Sequence, residues 1–103
     1  MKLFAPAAAL CLLVMAGTSH AADPNLARNL AATCANCHGT NGNAVKGSGL
    51  DSLAGVPKDK TLQKLADFKS GDKPASIMHQ IAKGYTDDQY QLMGEFFSRQ
   101  KNQ

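Results

Sequence analysis

Three residues within one helical turn carry the most specific chemistry in the chain. Cys34 and Cys37 are separated by two residues and His38 follows directly, in the run Thr33-Cys34-Ala35-Asn36-Cys37-His38-Gly39. C-x-x-C-H is the pattern that attaches a c-type haem. Two thiols one turn apart on the same helix face can each add to one of the two vinyl groups on a haem edge, forming two thioether bonds. The imidazole of the next residue is then held over the ring plane, where a nitrogen can bind the iron from one side. At average residue frequencies the pattern arises by chance in a chain this short on the order of once in a few thousand sequences. Two other chemistries use the same residue types. A thioredoxin-type dithiol follows a strand in a βαβ unit, and no alternating segment precedes Cys34. A zinc site wants four ligands, and beyond the N-terminal segment the only cysteines and histidines are Cys34, Cys37, His38 and His79, at an unusual spacing.

The second axial ligand decides what such an iron could do. Met78, His79 and Met93 are the candidates. Met93 lies in the middle of an apolar helix face beside Tyr90, Phe96 and Phe97, which suits packing. His79 falls outside the apolar arc of its helix and reads as a solvated histidine. Met78 lies inside that arc with Ile77 and Ile81, 40 residues after His38. The expected pair is therefore His38 and Met78. A thioether favours Fe(II), so His/Met ligation raises the reduction potential relative to two histidines. Burial by Leu26, Leu30, Leu65, Ile77 and Ile81 would raise it further. With both axial positions filled, no substrate reaches iron, which implies one-electron transfer through the haem edge and argues against an open-site sensor or peroxidase.

The elements that must position these residues are helical. Asp23-Pro24 reads as a helix opening. At 100° per residue Leu26, Ala27, Leu30, Ala31, Cys34 and Cys37 share one arc of about 140°. Residues 39 to 57 contain five Gly, two Asn and one Pro, with Val45, Leu50, Leu53 and Val56 as apolar anchors. Loops of that length in small domains usually wrap around something. A second helix is expected from about Lys60 to Lys69 on Leu62, Leu65 and Phe68, ending near Gly71. A third is expected to open at Asp72 and Pro74 and end at Gly84. Thr86 with Gln89 forms a capping box for a last helix, supported by Asp87 and Asp88. No period-two segment argues for a strand, so the fold class is all-α, about four helices and one long loop.

Residues 1 to 21 read as a secretory signal peptide, cleaved after Ala21 or Ala22. Lys2 starts it, Leu3 to Gly17 form its apolar run, and Ser19-His20-Ala21 is the small-x-Ala site. The run is shorter than the roughly 18 to 20 residues of a bilayer span, and Pro6 interrupts it. Leu10 before Cys11 argues against a lipoprotein. Export to the periplasm fits, because c-type haem is attached outside the bacterial cytoplasm. Of 103 residues, 22 to 103 remain as one domain, with two of the three cysteines. No disulfide framework is then available, and a core this small supplies only roughly 3 to 5 kcal/mol. A covalent haem would be the staple. The charge falls from +3 to +2 with Lys2 removed, too mild to indicate nucleic acid. Seven Lys against four Asp lie between residues 46 and 83, a scatter that reads as an ordinary solvated face.

Three blocks, AATCANCHGTNGN, SLAGVPKDKTLQKLADFKSG and ASIMHQIAKGYTDDQYQLMGEFFSRQ, together resemble class I c-type cytochromes of the small bacterial kind. The first and third are most similar to the cytochrome subunit of flavocytochrome c sulfide dehydrogenase. That resemblance implies a class I cytochrome c fold around one covalent haem c, with its first and last helices crossing. It implies thioethers at Cys34 and Cys37, with His38 and Met78 as axial ligands. It further implies a non-catalytic electron carrier served by a sulfide-oxidising flavoprotein or another redox protein. A free-standing shuttle to a terminal oxidase or reductase is the alternative. The chain departs from the class in two places. Asp51-Ser52-Leu53 stands where a Pro commonly precedes the Leu-Ala-Gly turn and offers its carbonyl to the haem histidine. Thr61 occupies a position where an aromatic often lies near a haem propionate. There is one C-x-x-C-H, whereas some of these subunits carry two.

Overall fold

The computed structural model describes residues 23–103; the signal-peptide segment lies outside them. Four α-helices run in order, α1 Leu26–His38, α2 Lys58–Ser70, α3 Met78–Lys83 and α4 Asp87–Ser98, with a short 3-10 turn at Thr40–Gly42 after α1. The described residues contain no strand.

Each helix begins and ends for a local reason. The Asp23 carboxylate accepts the Asn25 N–H at 2.8 Å and the Asn29 amide at 3.3 Å, placing negative charge at the positive end of α1. His38 closes α1, and Gly39 turns the chain away with φ +88°; a Cβ there would lie 1.7 Å from the Asn43 carbonyl oxygen, so only glycine fits. Pro57 precedes α2, and Gly71 ends it in the left-handed conformation. At α4 the capping box forms as its sequence predicts. Thr86 Oγ1 accepts the Gln89 N–H at 3.2 Å, and Gln89 Oε1 accepts the Thr86 N–H at 2.9 Å, an arrangement that contributes about 1 kcal/mol.

The third helix is shorter than its sequence suggests. It begins at Met78 rather than near Asp72 or Pro74, and Ile77 just before it has φ −141°. Pro74 biases Lys73 out of the helical region, and Ile77 is 58% exposed in this segment. Residues 72–77 therefore stay irregular and deliver Met78 as the first helical residue.

α1 and α4 pack against each other, and α2 packs on both α3 and α4. Ala82, Tyr90 and Met93 form the buried centre, with Leu30, Cys34, Leu62, Leu65, Phe68 and Tyr85 half-buried around it. Phe97 and Ala31 are buried as well. The long loop is closed on itself and on α4. The Gly42 carbonyl accepts both the Leu53 N–H at 2.7 Å and the Ala54 N–H at 3.1 Å, and the Gly55 N–H reaches the Phe97 carbonyl at 2.9 Å. Asn43 adds a clamp on the tail: its amide donates to the Lys101 carbonyl and its oxygen accepts the Gln103 N–H.

Candidate functional site

His38 is positioned by two elements at once. It is the last residue of α1, and its Nδ1 lies 2.6 Å from the Asp51 carbonyl oxygen. A carbonyl only accepts, so Nδ1 carries the proton and Nε2 keeps its lone pair free. An imidazole that binds a metal characteristically donates its other N–H in this way, which fixes the tautomer and raises its basicity. Asp51 is held from the far side of the loop: Leu53 and Ala54 bond to the Gly42 carbonyl, and Ser52 Oγ accepts the Ala44 N–H at 3.0 Å. The carbonyl of an aspartate thus does here what a proline carbonyl commonly does. The Asp51 carboxylate lies 4.0 Å from Lys64 Nζ with both groups exposed, a pair of little energetic weight.

Cys34 and Cys37 are both free thiols, Cys37 directly before His38 and Cys34 one turn earlier. Cys34 is half-buried against the central cluster, whereas Cys37 is exposed. Burial pushes the Cys34 thiol above its ordinary range, with the neighbouring Cys37 adding to the shift and Thr33 opposing it. A dithiol oxidoreductase needs the opposite, a lowered thiol. Among the described residues no cluster of three or more His, Cys, Asp or Glu could hold a metal ion, so zinc finds no further support.

The three candidates for the second ligand are separated by their surroundings. Met93 is 1% exposed at the centre of the core, in the packing role expected of it. His79 is half-buried rather than fully solvated, and its Nδ1 is buried with no hydrogen-bond partner. It lacks the acceptor that His38 has, so it is poorly built as a ligand through Nε2. Met78 is half-buried at the first position of α3. The turn after that helix is tied to the haem-motif helix, because Tyr85 Oη lies 2.5 Å from Thr33 Oγ1.

These residues fit a covalent haem. Two uncommitted thiols and an imidazole with one nitrogen spent and one free form the donor set such a group requires. Leu30, Leu62, Leu65 and Phe68 are only half covered, and Val45, Leu50 and Ile77 are exposed, apolar surface that suits an apolar macrocycle. Thr61 Oγ1 on α2 is buried without a hydrogen-bond partner.

Residues 24–101 match the family model for cytochrome c. The chain belongs to the cytochrome c family. As a member it carries the family's covalent haem c and its electron-carrier role. It is 38% identical to the cytochrome subunit of sulfide dehydrogenase from Chlorobaculum tepidum over 68 residues, covering 66% of this chain and 60% of that protein. It is 30% identical to the thiosulfate dehydrogenase electron acceptor of Stutzerimonas stutzeri over 90 residues, covering 82% of this chain and 42% of that protein. The matches thus span less than two thirds of either relative. Among the described residues no helix is long and apolar enough to cross a membrane.

The sequence alone marked Asp51 and Thr61 only as departures from the class, without giving the Asp51 carbonyl to His38, and it missed the Thr33–Tyr85 contact. A backbone acceptor leaves no side-chain signature, and Thr33 and Tyr85 are 52 residues apart.

Proposed function

We propose that this cytochrome c is an exported, periplasmic one-electron carrier that accepts electrons from a sulfide-oxidising flavoprotein. Cys34 and Cys37 would hold the haem through thioethers, and His38 and Met78 would ligate its iron. The haem supplies a one-electron Fe(III)/Fe(II) couple. His38 would offer Nε2 because Asp51 occupies Nδ1, Met78 would supply the second ligand and so keep external molecules from the iron, and the half-buried leucines would keep water out. The observation that carries this assignment is the helix-end imidazole with its Nδ1–H on the Asp51 carbonyl, one residue after the free thiol of Cys37 and one turn after that of Cys34. The likeness to a sulfide dehydrogenase cytochrome subunit supports the choice of partner. The signal-peptide pattern of residues 1 to 21 supports export.

The test is isolation of the native protein followed by reduction assays. A flavoprotein should co-purify, and sulfide should reduce the haem only when that partner is present. Reduction that never depends on a flavoprotein refutes the partner. The likeness to a thiosulfate dehydrogenase electron acceptor favours a second reading, a carrier serving another sulfur-oxidising donor. In that case the native protein runs alone on size exclusion and thiosulfate with its dehydrogenase reduces it.

A further inference from the structure

We propose that Thr33 and Tyr85 are positioning residues for the second axial ligand: their hydrogen bond latches the segment that carries Met78 to the helix that carries the haem cysteines. The proposal rests on Met78 being that ligand.

The need for a latch follows from α3 itself. It has six residues, Met78 is the first of them, and Ile77 at its N-cap provides no side-chain hydrogen bond. A helix this short has no stability of its own, so what it packs on and what it bonds to decide where Met78 sits. Three restraints are visible. α2 packs along it. The Tyr90 hydroxyl of α4 donates to the Ala82 carbonyl in the buried core. At the turn that follows, the Tyr85 hydroxyl meets Thr33 Oγ1 at 2.5 Å.

Only the third restraint reaches the haem motif directly. Thr33 immediately precedes Cys34, and Cys34 and Tyr85 pack against the same Ala82–Tyr90–Met93 cluster. Among the described residues it is also the only side-chain-to-side-chain hydrogen bond between separate elements; the others join residues at most six apart. Its direction can be assigned. Thr33 Oγ1 lies 2.9 Å from the Leu30 carbonyl, which can only accept, so the single threonine proton goes there. Tyr85 must then be the donor to Thr33, giving a directed chain from Tyr85 through Thr33 to the backbone of α1. The two substitutions that break it are therefore distinct: Tyr85→Phe removes the donor, and Thr33→Val removes the acceptor.

Losing one exposed hydrogen bond of this kind is a perturbation of roughly two- to tenfold in an equilibrium. If it holds Met78 in place, its loss raises the fraction of iron open to an external ligand by roughly two- to tenfold. The experiment uses ferric holoprotein and imidazole, which binds only when the methionine leaves, with the near-infrared sulfur-to-iron band as a second readout. Tyr85→Phe and Thr33→Val should each raise imidazole affinity about two- to tenfold, the double variant no further than the stronger single, and Thr33→Ser should stay near wild type. In a Met78→Ala background, which lacks the band, Tyr85→Phe should change nothing. A merely structural hydrogen bond would lower the unfolding midpoint and leave imidazole affinity unmoved. Wild-type affinity in both single variants overturns the latch while Met78→Ala still loses the band. A band that survives Met78→Ala overturns the ligand assignment instead, and the latch with it.

Discussion

Replacing Gly42 by alanine tests whether the loop that presents Asp51 to His38 depends on close packing against α4. Gly42 has φ +82°, and a Cβ there would meet Phe97 Cδ1 at 2.7 Å, the Ala54 nitrogen at 2.9 Å and Leu53 Cβ at 3.0 Å. Two costs add. Holding an alanine in the left-handed region costs about 1–2 kcal/mol, and forcing a methyl into a filled site about 1–3 kcal/mol. Phe97 is 1% exposed and has nowhere to yield. Gly47 supplies the control, because it has φ +80° and nothing within 4 Å of an added Cβ. Gly47→Ala therefore incurs the backbone cost alone. The difference between the two variants isolates the packing term, about 1–3 kcal/mol, which for a domain of this size lowers Tm by at least about 4 °C more in Gly42→Ala. Guanidinium unfolding of the ferric holoprotein, followed by far-UV circular dichroism, gives the comparison. Gly42→Ala should also raise the reduction potential, since displacing Leu53 and Ala54 from the Gly42 carbonyl loosens the Asp51 acceptor and makes the His38 imidazole less basic. Equal unfolding midpoints for the two variants would refute the packing argument, and an unchanged potential the link to His38.

Further outcomes separate core residues from ligands. Met93→Ala should cost about 2–5 kcal/mol, as deletion of a buried side chain does, while keeping the near-infrared band. Met78→Ala should lose the band and open the ferrous iron to rapid CO binding; optical spectra and denaturant titrations on the same two variants decide between the roles. Burial pushes the Tyr90 hydroxyl above its ordinary value, with Asp87 adding to the shift. The folded state therefore holds that proton more tightly than the unfolded chain, and this stability is present below the ordinary tyrosine value near 10 and is lost as pH rises through the raised value. Unfolding midpoints across that alkaline range should fall more steeply for wild type than for Tyr90→Phe.

Much of the architecture was legible because it rests on local chemistry. Thr86 and Gln89 announce a helix start through residue types three apart, and the structure makes both bonds. Met93 was recognisable as core from its place on an apolar face, and Leu62, Leu65 and Phe68 were legible in the same way. What escaped was decided by tertiary context. The start of α3 falls at Met78, after a segment in which Ile77 is non-helical and exposed rather than core. Leu26 shares the apolar arc of α1 yet is 42% exposed, whereas Ala31 on the same arc is buried. The partner of His38 is a carbonyl, identical in every residue type, so a departure from proline at that place says nothing about whether an acceptor is present. Only the closing of the loop on the Gly42 carbonyl shows that it is.

The two sides of the proposed iron site are built to different rigidity, and that difference bears on how such a carrier works. His38 stands beside both cysteines on a 13-residue helix, and its acceptor belongs to a loop tied to α4 through Gly55 and to the tail through Asn43. Met78 heads a six-residue helix without a side-chain cap, after an irregular segment containing Pro74 and the exposed Ile77. Any loosening should therefore begin on the methionine side. A thioether binds Fe(II) in preference to Fe(III), so with Met78 as the ligand oxidation would weaken the bond that the fold supports least. Low-cost electron transfer requires that the ligand not move when the oxidation state changes. The hydroxyls of Tyr90 and Tyr85, one buried on the Ala82 carbonyl and one exposed on Thr33, are placed to meet that requirement, and the ferric protein is where their loss should be most visible.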